Sequence, residues 1–164
     1  PKSFQTWTVL NNRFPDELRS HVRNIPVGTS AIGLCFPYNI VFRCEDIVKQ
    51  EHQGRMYDTI TCLSVSKWIH LYHGDDGLKQ VFQKIYRALL PGGQFILEPQ
   101  PWKTYHNRKF TTAETAKHYD EIELRPKDFE AYLTQQVGFR SCEFLEVCQT
   151  SQKGFKRPLY VYTK

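Results

Sequence analysis

From residue 78 onward the apolar positions are Leu78, Val81, Phe82, Ile85, Tyr86, Leu89 and Leu90, spaced by threes and fours like one face of a helix. An Asp at 75 or 76 stands where a side-chain oxygen caps a first turn. Pro91-Gly92-Gly93 ends the pattern. The period shortens on both sides. Residues 57–63 and 94–98 are short β-branched or aromatic runs and read as strands. Strand, crossover helix and strand form a βαβ unit, so a parallel pair is expected. Residues 39–44 read as a further buried strand, closed by Glu45 and Asp46.

Past residue 98 the pattern loosens. Residues 99–107 are irregular and aromatic, and 111–119 are weakly helical. Pro126 opens a helix to about residue 135, with Phe129, Tyr132 and Leu133 inward and Gly138 past its end. Two last strands are expected near 142–148 and 158–163, antiparallel because 149–157 is long enough to reverse the chain. Residues 14–22 suit a short helix with Pro15 in its first turn. The rest of 1–38 carries no clear pattern. The whole reads as an α/β sheet.

Composition narrows the class. The 164 residues are 40% hydrophobic and 24% charged, enough to bury the core of one domain or part of one. The net charge of +5 favours an anionic partner. The five cysteines, 35, 44, 62, 142 and 148, show no C-x-x-C spacing and sit mostly in apolar runs, which suits a reducing compartment. No apolar run reaches the ~18 residues of a membrane span. No signal peptide is visible, and the chain begins on Pro, so upstream residues are expected.

Chemistry gathers where strands end. In open α/β sheets ligands lie beyond the C-terminal strand ends, and three stretches begin there: Glu45-Asp46, Leu63 to Lys67, and Glu98 to Tyr105. Lys67 suits a phosphate as a point charge, or is simply a solvated Lys. His70 suits general acid–base work, or packs behind the strand. His70 and His73 share a helical face, but no further ligands complete a metal site, so no metal is expected. Trp68 either stacks on a base or fills the core. Pro99 and Pro101 stiffen the next segment, so Gln100, Trp102, Lys103 and Tyr105 are expected on display, with Arg108 and Lys109 beside them; Trp102 as a core plug is the other reading. Aromatic groups among cations suit single-stranded RNA. Lys153, Lys156 and Arg157 add a second basic cluster. Residues 28–33 lack the Gly-Lys-Ser/Thr of a phosphate loop.

Four stretches together resemble the Bicoid-interacting-protein-3 family: Leu63-Ser64-Val65-Ser66-Lys67-Trp68-Ile69-His70-Leu71, His73-Gly74-Asp75-Asp76-Gly77-Leu78, Leu97-Glu98-Pro99-Gln100-Pro101-Trp102, and Ser151-Gln152-Lys153-Gly154-Phe155-Lys156-Arg157-Pro158. The resemblance runs from about residue 39 to the C-terminus. It implies a Rossmann-like class I methyltransferase fold, mostly parallel, with a C-terminal antiparallel pair. It implies an S-adenosylmethionine-dependent enzyme that methylates the 5′ γ-phosphate of a small noncoding RNA, 7SK-like or spliceosomal, and releases S-adenosylhomocysteine. Catalytic duties would fall to Lys67, His70 and Tyr105. Glu45, Asp46, Leu63 and Ser64 would meet the cofactor. Lys67, Trp68, Gln100, Trp102, Lys103, Arg108, Lys109, Lys153, Lys156 and Arg157 would meet RNA. Ribonucleoprotein partners and a nuclear location follow from the same resemblance.

The family's opening strand, Gly-rich turn and ribose-binding acidic residue have no counterpart before residue 39. The expectation is therefore that 39–164 form the C-terminal part of a methyltransferase domain whose cofactor-loop half is missing, with 1–38 unassigned. The alternative is an inactive RNA-binding subunit that stabilises a 7SK-type or telomerase-type particle.

Overall fold

The structure, a computed structural model, describes residues 45–50, 57–145 and 157–164. The expected helix at 14–22, the strand at 39–44, residues 146–148, and Lys153 and Lys156 lie outside the described residues. The chain divides into two compact units, 1–46 and 47–164, and the elements below belong to the second.

Strand β1 is Tyr57–Leu63 and helix α1 is Ser66–Ala88. β2 is Leu89–Glu98. Two short helices, α2 (Lys103–His106) and α3 (Ala113–Glu121), follow. Then come a 3-10 turn at Pro126–Asp128, helix α4 (Phe129–Tyr132) and a π-type turn at Leu133–Val137. β3 (Ser141–Leu145) and β4 (Leu159–Thr163) complete a sheet ordered β1-β2-β4-β3. As expected, β1 and β2 are parallel and β3 and β4 antiparallel. β2 also runs antiparallel to β4, so the described strands form a mixed sheet.

α1 begins twelve residues before the apolar period does. Its first turns bury Ser66, Lys67 and His70 along with Ile69 and Leu71, and these polar groups hide the helical period. Gly74 breaks the helix at φ 64°, ψ −169°, a conformation essentially reserved for glycine. The second half is the predicted amphipathic helix. Asp75 does not cap it; its carboxylate is engaged elsewhere.

Pro91-Gly92-Gly93 does not separate helix from strand either. The strand starts at Leu89, where the backbone turns extended. Tyr57 pairs with Leu89 but Thr59 with Gln94, so the surplus β2 residues arch outward as a bulge. The main core is an aromatic seam under the sheet. Phe82 lies 6.0 Å from Phe95 and 5.4 Å from Phe129, and Phe139 lies 5.9 Å from Phe95. The expected inward set Phe129, Tyr132 and Leu133 is buried. A smaller cluster of Leu71, Tyr105 and Ile122, backed by Trp102 and Tyr119, fills the space beside the first turns of α1.

Candidate active site

The parallel pairing brings Leu63 opposite Glu98. Two of the three expected strand-end stretches therefore share one rim; Glu45 and Asp46 close the other unit. At the rim Ser64 has φ 59°, and no other non-glycine among the described residues has a positive φ. Such a backbone costs about 1–3 kcal/mol and persists only when neighbours hold it. Here they do. The Ser64 N–H donates to the Glu98 carbonyl at 3.2 Å. The Ser64 hydroxyl donates to the Glu98 carboxylate, and Gln100 Nε2 donates to the Ser64 carbonyl. Arg157 donates to the Ser64 hydroxyl and pairs with Glu98 at 3.2 Å.

Gln100 is the strap of this knot. Its Oε1 accepts from the Lys67 N–H at 3.2 Å and from the Ser66 hydroxyl at 3.5 Å. It is 3% exposed. The expectation of a displayed Gln100 is thus corrected: both ends of the amide turn inward to backbone groups freed by the sharp Ser64 turn. Tyr105 is corrected likewise, being fully buried against His70. Trp102 is half-buried, stacked on Tyr119 at 4.8 Å with the Arg125 guanidinium 5.0 Å from its ring. Lys103 stays exposed. Lys109 is drawn toward α3, 3.7 Å from Asp120 and 4.6 Å from the Tyr119 ring.

His70 is also fully buried. Nε2 lies 2.7 Å from an Asp75 oxygen and Nδ1 3.4 Å from the Tyr105 hydroxyl. Burial holds the imidazole below its usual pKa, against the opposing pull of Asp75. The neutral ring then donates from Nε2 to Asp75 and accepts at Nδ1 from Tyr105. Both nitrogens are used, and His70 with Tyr105 holds the rim. Asp75, which sequence reading treated only as a cap, also accepts from the N–H groups of Leu124 at 2.9 Å and Glu123 at 3.2 Å. Burial opposes its ionisation, but the His70 hydrogen bond and these N–H groups keep the carboxyl below its ordinary range.

Cations converge on the same rim. Lys67 Nζ lies 5.2 Å from the Trp68 ring and Arg108 lies 5.9 Å from it. Lys67 is 8% exposed and donates to the Thr104 hydroxyl at 3.4 Å. Neither Lys67 nor Arg108 has a carboxylate partner among the described residues. Burial, then Arg157 and Arg108, lowers the Lys67 pKa. Such a cluster is eased by an anion. No group of His, Cys, Asp or Glu among the described residues is arranged to hold a metal ion. None of the described helices is long and apolar enough to cross a membrane.

Comparison with known proteins fits this rim. The model of the Bicoid-interacting protein 3 family matches residues 57–164, more than half of the chain. The chain belongs to that family. Within the family, it is 45% identical over 135 residues to the human (Homo sapiens) 7SK snRNA methylphosphate capping enzyme, covering 79% of this chain and 20% of that protein. It is 44% identical to a probable RNA methyltransferase of Arabidopsis thaliana, covering 76% and 40%. It is 42% identical to the U6 snRNA methylphosphate capping enzyme Amus of Drosophila melanogaster, covering 73% and 40%. The chain thus spans 20% to 40% of the length of these relatives. Among solved structures, PigF with SAH superposes with a TM-score of 0.50 at 20% identity, over 73% of this chain and 33% of that one. The fold is that of class I methyltransferases, and the described strands form a mixed sheet.

Proposed function

We propose that this chain forms the substrate side of an S-adenosylmethionine-dependent methyltransferase acting on the 5′ γ-phosphate of a small noncoding RNA, 7SK-like or spliceosomal. The observation that carries the reading is the pair of cations Lys67 and Arg108, without a carboxylate partner among the described residues, at a strand-end rim knotted around a strained Ser64. The family match covers that whole rim. Relatives named as methylphosphate capping enzymes match over 121 to 135 residues at 42% to 45% identity, whereas those named as RNA 5′-monophosphate methyltransferases match over 50 to 85 residues at 35% to 43%. This favours the γ-phosphate.

The residues at the rim fit the cofactor's methionine side. Leu63 leaves an apolar side chain 48% exposed at the strand end, a wall suited to a carbon chain. Ser64, fixed by its knot, sets the backbone beside it. Glu45 and Asp46 are assigned to the adenosine side by family resemblance alone. S-adenosylmethionine supplies an electrophilic methyl group when bound. The attacking phosphate oxygen is already anionic near neutral pH, so the chain need not supply a strong base. Its work is alignment. Lys67 and Arg108 hold the phosphate by its other oxygens, Trp68 offers a face between them, and Lys103 meets the RNA backbone. His70, Asp75 and Tyr105 fix the helix that carries Lys67. Arg157 holds the rim closed through Ser64 and Glu98, and Lys153 and Lys156 are assigned to the RNA by family resemblance alone. Nuclear ribonucleoproteins are the setting that the family resemblance implies.

The test is cofactor calorimetry on the full-length protein, followed by radiolabelled methyl transfer to 5′-triphosphate RNA. Transfer should require the triphosphate, and Lys67→Ala should lower turnover by about 10²-fold. RNA binding without cofactor binding would replace the enzyme with the inactive RNA-binding subunit.

A further inference from the structure

Beside the rim lies a cleft of about 380 Å³ lined by Pro99, Gln100, Pro101, Trp102, Arg125, Pro126, Lys127, Pro158 and Tyr160. Its size sits at the low end of single-ligand sites, roughly 300–1,000 Å³, enough for one flat group rather than a length of strand. Four lining residues are prolines, drawn from three segments of the chain. They have no N–H to satisfy and no side-chain entropy to lose. Gln100 presents only its stem, because its amide is spent on Ser64, Ser66 and Lys67. The walls are therefore stiff and mostly apolar.

The polar side is of one sign. Arg125 and Lys127 are exposed and have no carboxylate partner among the described residues. No Asp or Glu among the described residues lines the cleft. Stiff rings with two adjacent cations match a planar group tied to an anion. A nucleotide is that combination.

We propose that this cleft is a second nucleotide subsite, which takes one unpaired base of the RNA against the prolines and Tyr160 and its phosphate against Arg125 and Lys127. The proposal deepens the RNA reading above and rests on it. Gln100 is the shared wall: its amide ties the rim and its stem faces the cleft. A strand whose 5′ phosphate meets Lys67 would thus reach the cleft with a nearby nucleotide.

The experiment compares two charge-matched double variants of the full-length protein, Arg125→Ala/Lys127→Ala and Arg87→Ala/Lys117→Ala. All four side chains are exposed, so folding should survive, which circular dichroism checks. The probe is a fluorescein-labelled decauridylate, read by anisotropy over a salt series, with S-adenosylmethionine affinity measured in parallel. The cleft variant should weaken RNA binding at least tenfold and reduce the salt slope by about 0.7, the value for one single-strand phosphate contact. The control should change affinity less than threefold, and cofactor affinity should hold in both. Equal weakening by both variants, or by neither, overturns the cleft assignment while leaving the RNA reading intact. No RNA binding by the unaltered protein overturns both.

Discussion

Replacing Asp75 should cost this fold far more than its place on an exposed-looking helix implies. Asp75→Ala removes the acceptor for His70 Nε2–H at 2.7 Å, Leu124 N–H at 2.9 Å and Glu123 N–H at 3.2 Å. The Glu123 site is exposed, so water replaces that bond at little cost. His70 is fully buried and keeps an unpaired donor. Bonds to a charged group contribute about 1.5–3 kcal/mol each, and an orphaned buried donor costs about 1–3 kcal/mol. The loss should be about 3–4 kcal/mol, a large share of the roughly 5–15 kcal/mol that holds a domain folded. Asp75→Asn retains one acceptor oxygen and should lose about half as much. Lys79→Ala is the control, since Lys79 meets Asp75 at 3.7 Å with a side chain 37% exposed, worth at most about 1 kcal/mol. Urea unfolding followed by tryptophan fluorescence measures all three. A cost for Asp75→Ala below about 1 kcal/mol, or equal to that of Lys79→Ala, would refute the reasoning. So would simple additivity of Asp75→Ala with His70→Gln, because residues that share one bond must interact.

The same pair sets a pH dependence. Burial depresses His70 from 6.5 and the net environment depresses Asp75 from 3.8, so the unfolded chain binds more protons than the folded one on acidification. Stability should be full above about pH 6.5, fall below it, and fall again below about 4; a His70→Gln variant whose urea midpoint still follows wild type between pH 6.5 and 5 would sink this assignment. Gln100→Leu leaves the Ser64 carbonyl and the Lys67 N–H without their partner, and should cost about 2–4 kcal/mol in the same denaturation assay; a neutral result would mean the strap is not holding the rim. At Gly93 a Cβ would stand 3.0 Å from the carbonyl oxygens of both Asp58 and Leu90, and backbone cannot rotate aside. Gly93→Ala should destabilise by about 1–3 kcal/mol, and a melting temperature unchanged within error would count against the bulge.

What the sequence made legible follows from burial on one face. The second half of α1 shows its period because Leu78, Val81, Phe82 and Ile85 meet the core while their neighbours meet water. The short strands and the inward set at Phe129, Tyr132 and Leu133 were readable for the same reason. The first half of α1 was not, because its buried face includes Ser66, Lys67 and His70. Polar residues enter a core only with partners, and those partners lie far off in sequence. Gln100 and Tyr105, 33 to 36 residues from Ser64, Lys67 and His70, pair with them across the rim. Local spacing therefore showed that Gln100 and Tyr105 were unusual but gave the wrong direction for both. Arg125 and Lys127 were missed altogether, because they become distinctive only when Pro99, Pro101 and Pro158 arrive from other segments.

Under the proposed reading, the geometry favours Lys67 over His70 as the basic group of the opening motif that meets the phosphate. His70 and Lys67 are both buried, yet their chemistry differs. His70 has each nitrogen committed, one to Asp75 and one to Tyr105, and burial keeps it neutral. It gains nothing from a phosphate. Lys67 is held by one hydroxyl, and burial with Arg157 and Arg108 beside it lowers its pKa. Under the proposed reading, a phosphate at the rim offsets that repulsion and restores the affinity of Lys67 for its proton. Binding and protonation then favour each other, since each stabilises the same charged state. The affinity for a phosphate-ended RNA must therefore fall as alkaline pH removes the Lys67 proton, while an RNA that ends in a bare hydroxyl lacks that link.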